Sequence, residues 1–177
     1  MIKLVAFDNN GTIFDDYDAV IYGSVVLTFE MLGLPPPTKE QHRSEATSDH
    51  MKFYHDHGLP PFPGTEEEQR MRDTLRQAVQ TYWDENYYKA SFRPDVAKTV
   101  FELKKMGIRT AIVSAWQRAN LIEEIDRFGF WGIFDPIIGG AKDKSVALAD
   151  LCKNFSIDPA AAIYVDDTVV FISYFVI

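Results

Sequence analysis

The chain has 177 residues, 46% of them hydrophobic and 14% aromatic, enough for one substantial core with a small second module and too apolar for a disordered chain. A net charge of −8 with no run of Lys or Arg argues against a polyanion-binding surface, so nucleic acid is not an expected partner. Cys152 is the one cysteine, the N-terminus lacks the basic and apolar parts of an export signal, and the apolar runs fall short of the roughly 20 residues a membrane span needs. A soluble, cytoplasmic protein is the expectation.

The first element is an apolar strand over 2–8 that stops at Asp8 and a glycine turn, Asn9-Asn10-Gly11-Thr12. About 75 residues follow without a convincing strand. Tyr17 to Gly33 reads as a helix that ends in Leu-Gly before the rigid Leu34-Pro35-Pro36-Pro37, and 38–57 is helix-compatible up to the Gly/Pro-rich stretch 58–64. Thr65 with Glu68 is a capping-box pattern opening a helix to about Tyr88, with Leu75, Val79 and Tyr82 among its apolar positions. Pro94 then starts a helix carrying Val96, Val100 and Leu103 on one face, which ends at Met106-Gly107.

Ile108 to Val113 reads as a buried strand. A helix marked by Leu121, Ile122, Ile125 and Phe128 stops at Gly129, and Pro136 to Gly139 is a short strand. A helix over about 145–155 is expected to turn Val146, Ala149, Leu151 and Cys152 inward, and Ala161 to Val165 is a strand ending in Asp166-Asp167. Strand, helix, strand in this repetition calls for a parallel α/β sheet, Rossmann-like, with right-handed crossovers and helices on both faces. In such sheets ligands bind at the carboxyl ends of the strands, which is where Asp8 and the Asp166-Asp167 pair fall. Carboxylates on two strand ends are the donor type that a hard cation such as Mg²⁺ takes.

The ordered set of strand ends resembles the haloacid dehalogenase-like hydrolase superfamily. Asp8 to Thr12 is similar to its first motif, Asp-x-Asp-Gly-Thr, and Ser114 to its second. Lys144 fits the third, with Lys142 as the alternative, and Asp166-Asp167 fits the fourth. The motifs stand about 106, 30 and 23 residues apart. The resemblance implies a core of 1–14 and 91–177, shortened at its C-terminal end, with 15–90 as an inserted helical cap domain. It also implies a magnesium-dependent phosphatase of a small phosphorylated metabolite. Asp8 would attack phosphorus and form an aspartyl phosphate. Asp8, the Asn10 carbonyl and Asp167 would hold Mg²⁺, with Asp166 nearby. Asn9, Asn10, Ser114, Ala115 and Lys144 would bind the phosphoryl oxygens.

Two positions depart from that pattern. Asn10 stands where the phosphatases carry the acid that protonates the leaving alcohol, and an amide cannot transfer a proton at neutral pH. Phe171 stands where a further acidic residue is expected. The run 169–177 is β-prone and apolar with no room for a crossover helix, so self-association follows if it is exposed. These departures favour a second reading, a catalytically weak relative that binds a phosphorylated ligand or a protein partner. His50, His55 and His57 lack the spacing of a metal site, Cys152 reads as a small buried hydrophobe, and Arg43, His50 and Tyr54 are substrate contacts by location alone.

Overall fold

A computed structural model describes residues 1–46, 50–58, 65–130 and 132–167. Trp131 and the apolar run 169–177 lie outside these residues, as do the side chains of His50 and Glu68. The chain divides into two compact units, one of residues 1–15 with the chain from Phe92 onward, the other of residues 16–91.

The first unit is a four-stranded parallel sheet. Its strands are β1 (Leu4–Phe7), β4 (Arg109–Val113), β5 (Ile137–Ile138) and β6 (Ala162–Val165), in the order β5-β4-β1-β6. Two further strands, β2 (Phe14–Asp15) and β3 (Ser91–Phe92), are two residues each and pair separately. Every residue of β1 is buried, and so are four of the five in β4, because helices cover both faces of the central strands. That is why both segments read as unbroken apolar runs. Leu4 pairs with Arg109 on one side and Ala162 on the other, and Phe7 with Ile112 and Val165, so the carboxyl ends of three strands lie level.

The helices of this unit are α5 (Val96–Lys105), α6 (Arg118–Arg127) and α7 (Lys144–Phe155). On one sheet face Leu4, Ala6, Ala111, Val113 and Tyr164 form a cluster with Leu148, Leu151 and Cys152 of α7. Each of the two leucines contributes about 1.5–3 kcal/mol by leaving water. The expected inward face of α7 is corrected here: Leu151 and Cys152 are buried, but Val146 and Ala149 are exposed. The helix begins at Lys144, and a 3.6-residue period from there brings round Leu148, Leu151 and Cys152, leaving Val146 on the opposite side. Elsewhere in the unit Phe14 packs edge to face on Phe92 and Phe128, which are tilted against each other, with centroids 5.2–6.0 Å apart.

The second unit is helical. A π-helical turn, Tyr17–Ile21, runs into α1 (Tyr22–Met31), followed by α2 (Lys39–Glu45), α3 (His50–Asp56) and α4 (Glu66–Asn86). The stretch 38–57 therefore holds two helices. The observed capping box is at Thr38 and Gln41, whose side chains each accept the other's backbone N–H. That pair has the same S/T-x-x-E/Q signature as Thr65 and Glu68. Gly23 lets α4 approach α1, since a Cβ there would lie 1.9 Å from the Tyr82 hydroxyl, which donates to the Ala19 carbonyl. His57 contacts Glu45 at 3.2 Å and the Phe53 carbonyl at 3.0 Å, so its ring is engaged in packing α3. Arg43 lies over the Tyr17 ring, and Tyr54 packs on Phe29.

Candidate active site

Asp8 is the residue after β1, and its N–H continues the ladder by donating to the Val165 carbonyl at 2.9 Å. The chain must leave the sheet at this point. Asn9 accomplishes the turn: its carbonyl accepts the N–H groups of Thr12, Ile13 and Phe14 at 2.9–3.2 Å, winding 9–14 into a tight loop. Gly11 sits in that loop at φ +76°, and its carbonyl accepts from the Arg93 guanidinium at 2.9 Å. A Cβ at Gly11 would fall 2.3 Å from the Asp167 carboxylate. The hydroxyl of Thr12 accepts the Asp167 N–H at 3.0 Å. The Gly-Thr pair near the start of the chain thus makes room for the Asp167 carboxylate and holds the backbone of that residue, 155 positions beyond Thr12.

Ser114 follows β4 and is buried. Its N–H donates to Ile138 and its carbonyl accepts from Ala141, which fixes the backbone on both sides. Its hydroxyl accepts the Trp116 N–H at 3.2 Å, which leaves the hydroxyl proton to donate. Ala115 is half-buried in the bend directly after it. Lys144 opens α7, whose start is capped by Asp143 accepting the N–H groups of Ser145 and Val146. The Ser145 hydroxyl, which also donates to it, together with those N–H groups holds the Asp143 carboxyl below the usual carboxylate range. The lysine is buried, with its ammonium 3.2 Å from Asp8 and 2.9 Å from Asp166 and 5.5 Å from the centre of the Tyr164 ring. Lys142 is exposed, so of the two candidate lysines Lys144 is the one at the strand ends.

Tyr164 supports this arrangement from β6, donating its hydroxyl to the Val113 carbonyl at 3.0 Å. Burial pushes that phenol far above its ordinary titration range, with the neighbouring carboxylates adding to the effect. Asp166 and Asp167 follow β6, and carboxylate oxygens of Asp8, Asp166 and Asp167 lie within 4.8 Å of one another. Asn10 is half-buried and bridges to Phe14 through the backbone. Burial raises the Asp8 carboxyl to about 6. The Lys144 charge opposes that rise and the Asp166 charge reinforces it.

Three carboxylates cluster here, two of them against one ammonium, and Asp8 Oδ1 is buried with no hydrogen-bond partner among the described residues. A buried acceptor left in this state is costly unless something outside the chain engages it. The donor set is all oxygen and anionic, which fits a hard divalent cation. Sequence reasoning did not reach three contributors to the site. The carboxylate of Glu124, buried in α6, accepts the Asn9 side-chain N–H at 2.6 Å. Arg93 and Tyr164 are the others. Thr12 and Gly11 lay inside the quoted motif, but nothing local tells which distant carboxylate they serve.

Comparison with solved structures finds the same fold in many proteins. A predicted phosphoglycolate phosphatase from Haemophilus somnus matches at 19% identity with a TM-score of 0.67, covering 98% of this chain and 81% of its own. A haloacid dehalogenase-like family hydrolase from Streptococcus pneumoniae matches at 19% and 0.66, covering 98% and 79%. A predicted phosphatase from Clostridium acetobutylicum matches at 14% and 0.64, covering 93% and 75%. No curated protein matches the sequence. Among the described residues no helix is long and apolar enough to cross a membrane. The family model for haloacid dehalogenase-like hydrolases matches residues 5–171, a span that runs from β1 past the Asp166-Asp167 pair. The chain belongs to the haloacid dehalogenase-like hydrolase family.

Proposed function

We propose that this protein is a magnesium-dependent phosphatase of small phosphorylated molecules, with Asp8 as nucleophile. The observation that carries the reading is the meeting of Asp8, Asp166 and Asp167 at level strand ends, with Lys144 at the start of α7 and with a buried Asp8 oxygen that no described residue engages. The described structures from Haemophilus somnus and Clostridium acetobutylicum, predicted phosphatases on the same fold, support it.

An Asp8 carboxylate oxygen forms a bond to phosphorus as the ester P–O bond breaks and the leaving oxygen takes the electron pair. Water then attacks the aspartyl phosphate, inorganic phosphate departs, and the Asp8 carboxylate is restored. Lys144 offsets charge on both the carboxylate and the transferring phosphoryl group, and Ser114 donates its hydroxyl proton to a phosphoryl oxygen. The N–H groups of Asn9, Asn10 and Ala115 supply further donors. Asp8, Asp167 and the Asn10 carbonyl would hold Mg²⁺, with Asp166 beside them, and the cation would stabilise negative charge on the phosphoryl oxygens. Position 10 adds no proton to the leaving oxygen, so phosphates with good leaving groups, such as aryl and acyl phosphates, are the favoured class.

Phosphate release from an aryl phosphate, measured with Mg²⁺ and again after chelation, tests this reading. Turnover that disappears with the chelator and returns with Mg²⁺ is expected. A rate at assay background in both conditions would end it, and would leave the binding role suggested by Asn10 as the better account.

Gly11→Ala checks the geometry of the acidic cluster without relying on turnover. An L residue at φ +76° costs about 1–2 kcal/mol, and the new methyl would overlap Asp167. The variant should melt at lower temperature and lose most of the thermal stabilisation that added Mg²⁺ gives the wild type. Equal stabilisation of both proteins by the cation would show that Asp167 takes no part in holding it.

A further inference from the structure

The side-chain contact between Glu124 and Asn9 takes no step in the chemistry above, yet both residues are almost wholly buried, at 1% and 0% exposure. A carboxylate in such a place is expensive, and a well-packed apolar pair of similar volume is often as stable or more so. Something other than stability accounts for its presence. The Asn9 amide donates to Glu124 Oε2 at 2.6 Å across 115 residues of sequence, and Asn9 Oδ1 has no hydrogen-bond partner among the described residues. Glu124 is therefore the side-chain anchor of Asn9 among the described residues.

Asn9 is also the hub of the nucleophile loop. Its carbonyl gathers the N–H groups of Thr12, Ile13 and Phe14, and it directly follows Asp8 in the chain. One residue thus connects α6, the loop carrying Gly11 and Thr12, and the attacking group. We infer that Glu124 is a positioning residue that acts through Asn9, holding the 8–14 loop so that the Asp8 carboxylate and the Thr12 contact to Asp167 are in register before substrate arrives. This inference rests on the phosphatase reading for its effect on rate, but not for its effect on the loop.

Glu124→Ala removes the anchor, whereas Glu124→Gln keeps an acceptor oxygen of the same reach. Amide hydrogen exchange across 8–14 reads the loop without any turnover, and aryl phosphate kinetics with Mg²⁺ reads the reaction. Small misplacements of reacting groups cost up to about 10²-fold. Glu124→Ala should therefore speed exchange in 8–14 and lower kcat about tenfold or more with KM little changed, in protein that remains folded by circular dichroism. Glu124→Gln should restore slow exchange and most of kcat. Unchanged exchange in Glu124→Ala overturns the inference, as does faster exchange with unchanged kcat, the signature of a purely structural contact. A wild type that does not turn over, together with faster exchange in Glu124→Ala that Gln restores, would sink the phosphatase reading and leave the anchoring of the loop standing. If Glu124→Ala does not fold, Asn9→Ala, which cuts the same contact from the other side, must show the faster exchange or the inference fails.

Discussion

Replacing Asp8 by Asn should lower kcat by about 10⁴-fold or more while making the metal-free protein more stable at pH 8. The first effect follows from removing the attacking oxygen, for which no neighbouring group substitutes. Lys144 lies against Asp8 and Asp166, and Asp166 is itself held 2.9 Å from that ammonium. The second effect follows from burial. The Asp8 carboxyl titrates at about 6 in the fold against an ordinary 3.8, so the folded protein resists its ionisation. That penalty is absent below about pH 4, grows as the unfolded chain ionises, and is complete above about 6. The substituted amide never carries the charge. The gain in thermal midpoint over wild type should reach a few degrees at pH 8 and fade toward pH 4. A midpoint difference that is the same at both pH values would mean that Asp8 is not strained by its surroundings, and residual turnover within tenfold of wild type would remove it as nucleophile.

Asn10→Asp should raise hydrolysis of alkyl phosphates by up to about 10²-fold while changing aryl phosphate hydrolysis little. A positioned general acid and base is worth about 10²–10⁴-fold where the leaving oxygen needs a proton, and little where it does not. Asn10 occupies the half-buried turn between Asp8 and Gly11, two residues from the attacking carboxylate. Kinetics on a matched alkyl and aryl pair, in wild type and variant, give the comparison. Parallel changes on both substrates would assign the effect to loop structure or charge, and no change on either would show that position 10 does not face the leaving group.

The strand ends were legible because central parallel strands must be apolar on both faces, so Leu4–Phe7 and Thr110–Val113 announce themselves and the polar residues that follow them stand out. Lys144 was legible as the better of two lysines. What separates it from Lys142 is the start of α7, set by the Asp143 cap, which turns the first residue toward Asp8. Val146 misled because a single apolar residue early in a helix does not reveal the phase of its face. The Glu124 contact with Asn9 was hidden for a different reason: each residue looks like an ordinary polar position, and only closure of the sheet brings α6 behind the loop. The strand-prone reading of 169–177 and the self-association expected from it fall outside the described residues.

The sheet order also sets a timetable. β1 is synthesised ahead of its hydrogen-bonding neighbours β4 and β6, which begin only at Arg109 and Ala162. At roughly 5–20 residues per second, the strand that leads to Asp8 waits on the order of 10–30 s for its second partner. Until β4 is made Leu4–Phe7 is an apolar ribbon with both edges unsatisfied, and until β6 is made it keeps one open edge, the kind of segment that chaperones hold and aggregates recruit. A chain released before Ala162 would carry Asp8 with neither its second ladder nor its acidic partners, so an abortive translation product cannot be a partly active enzyme.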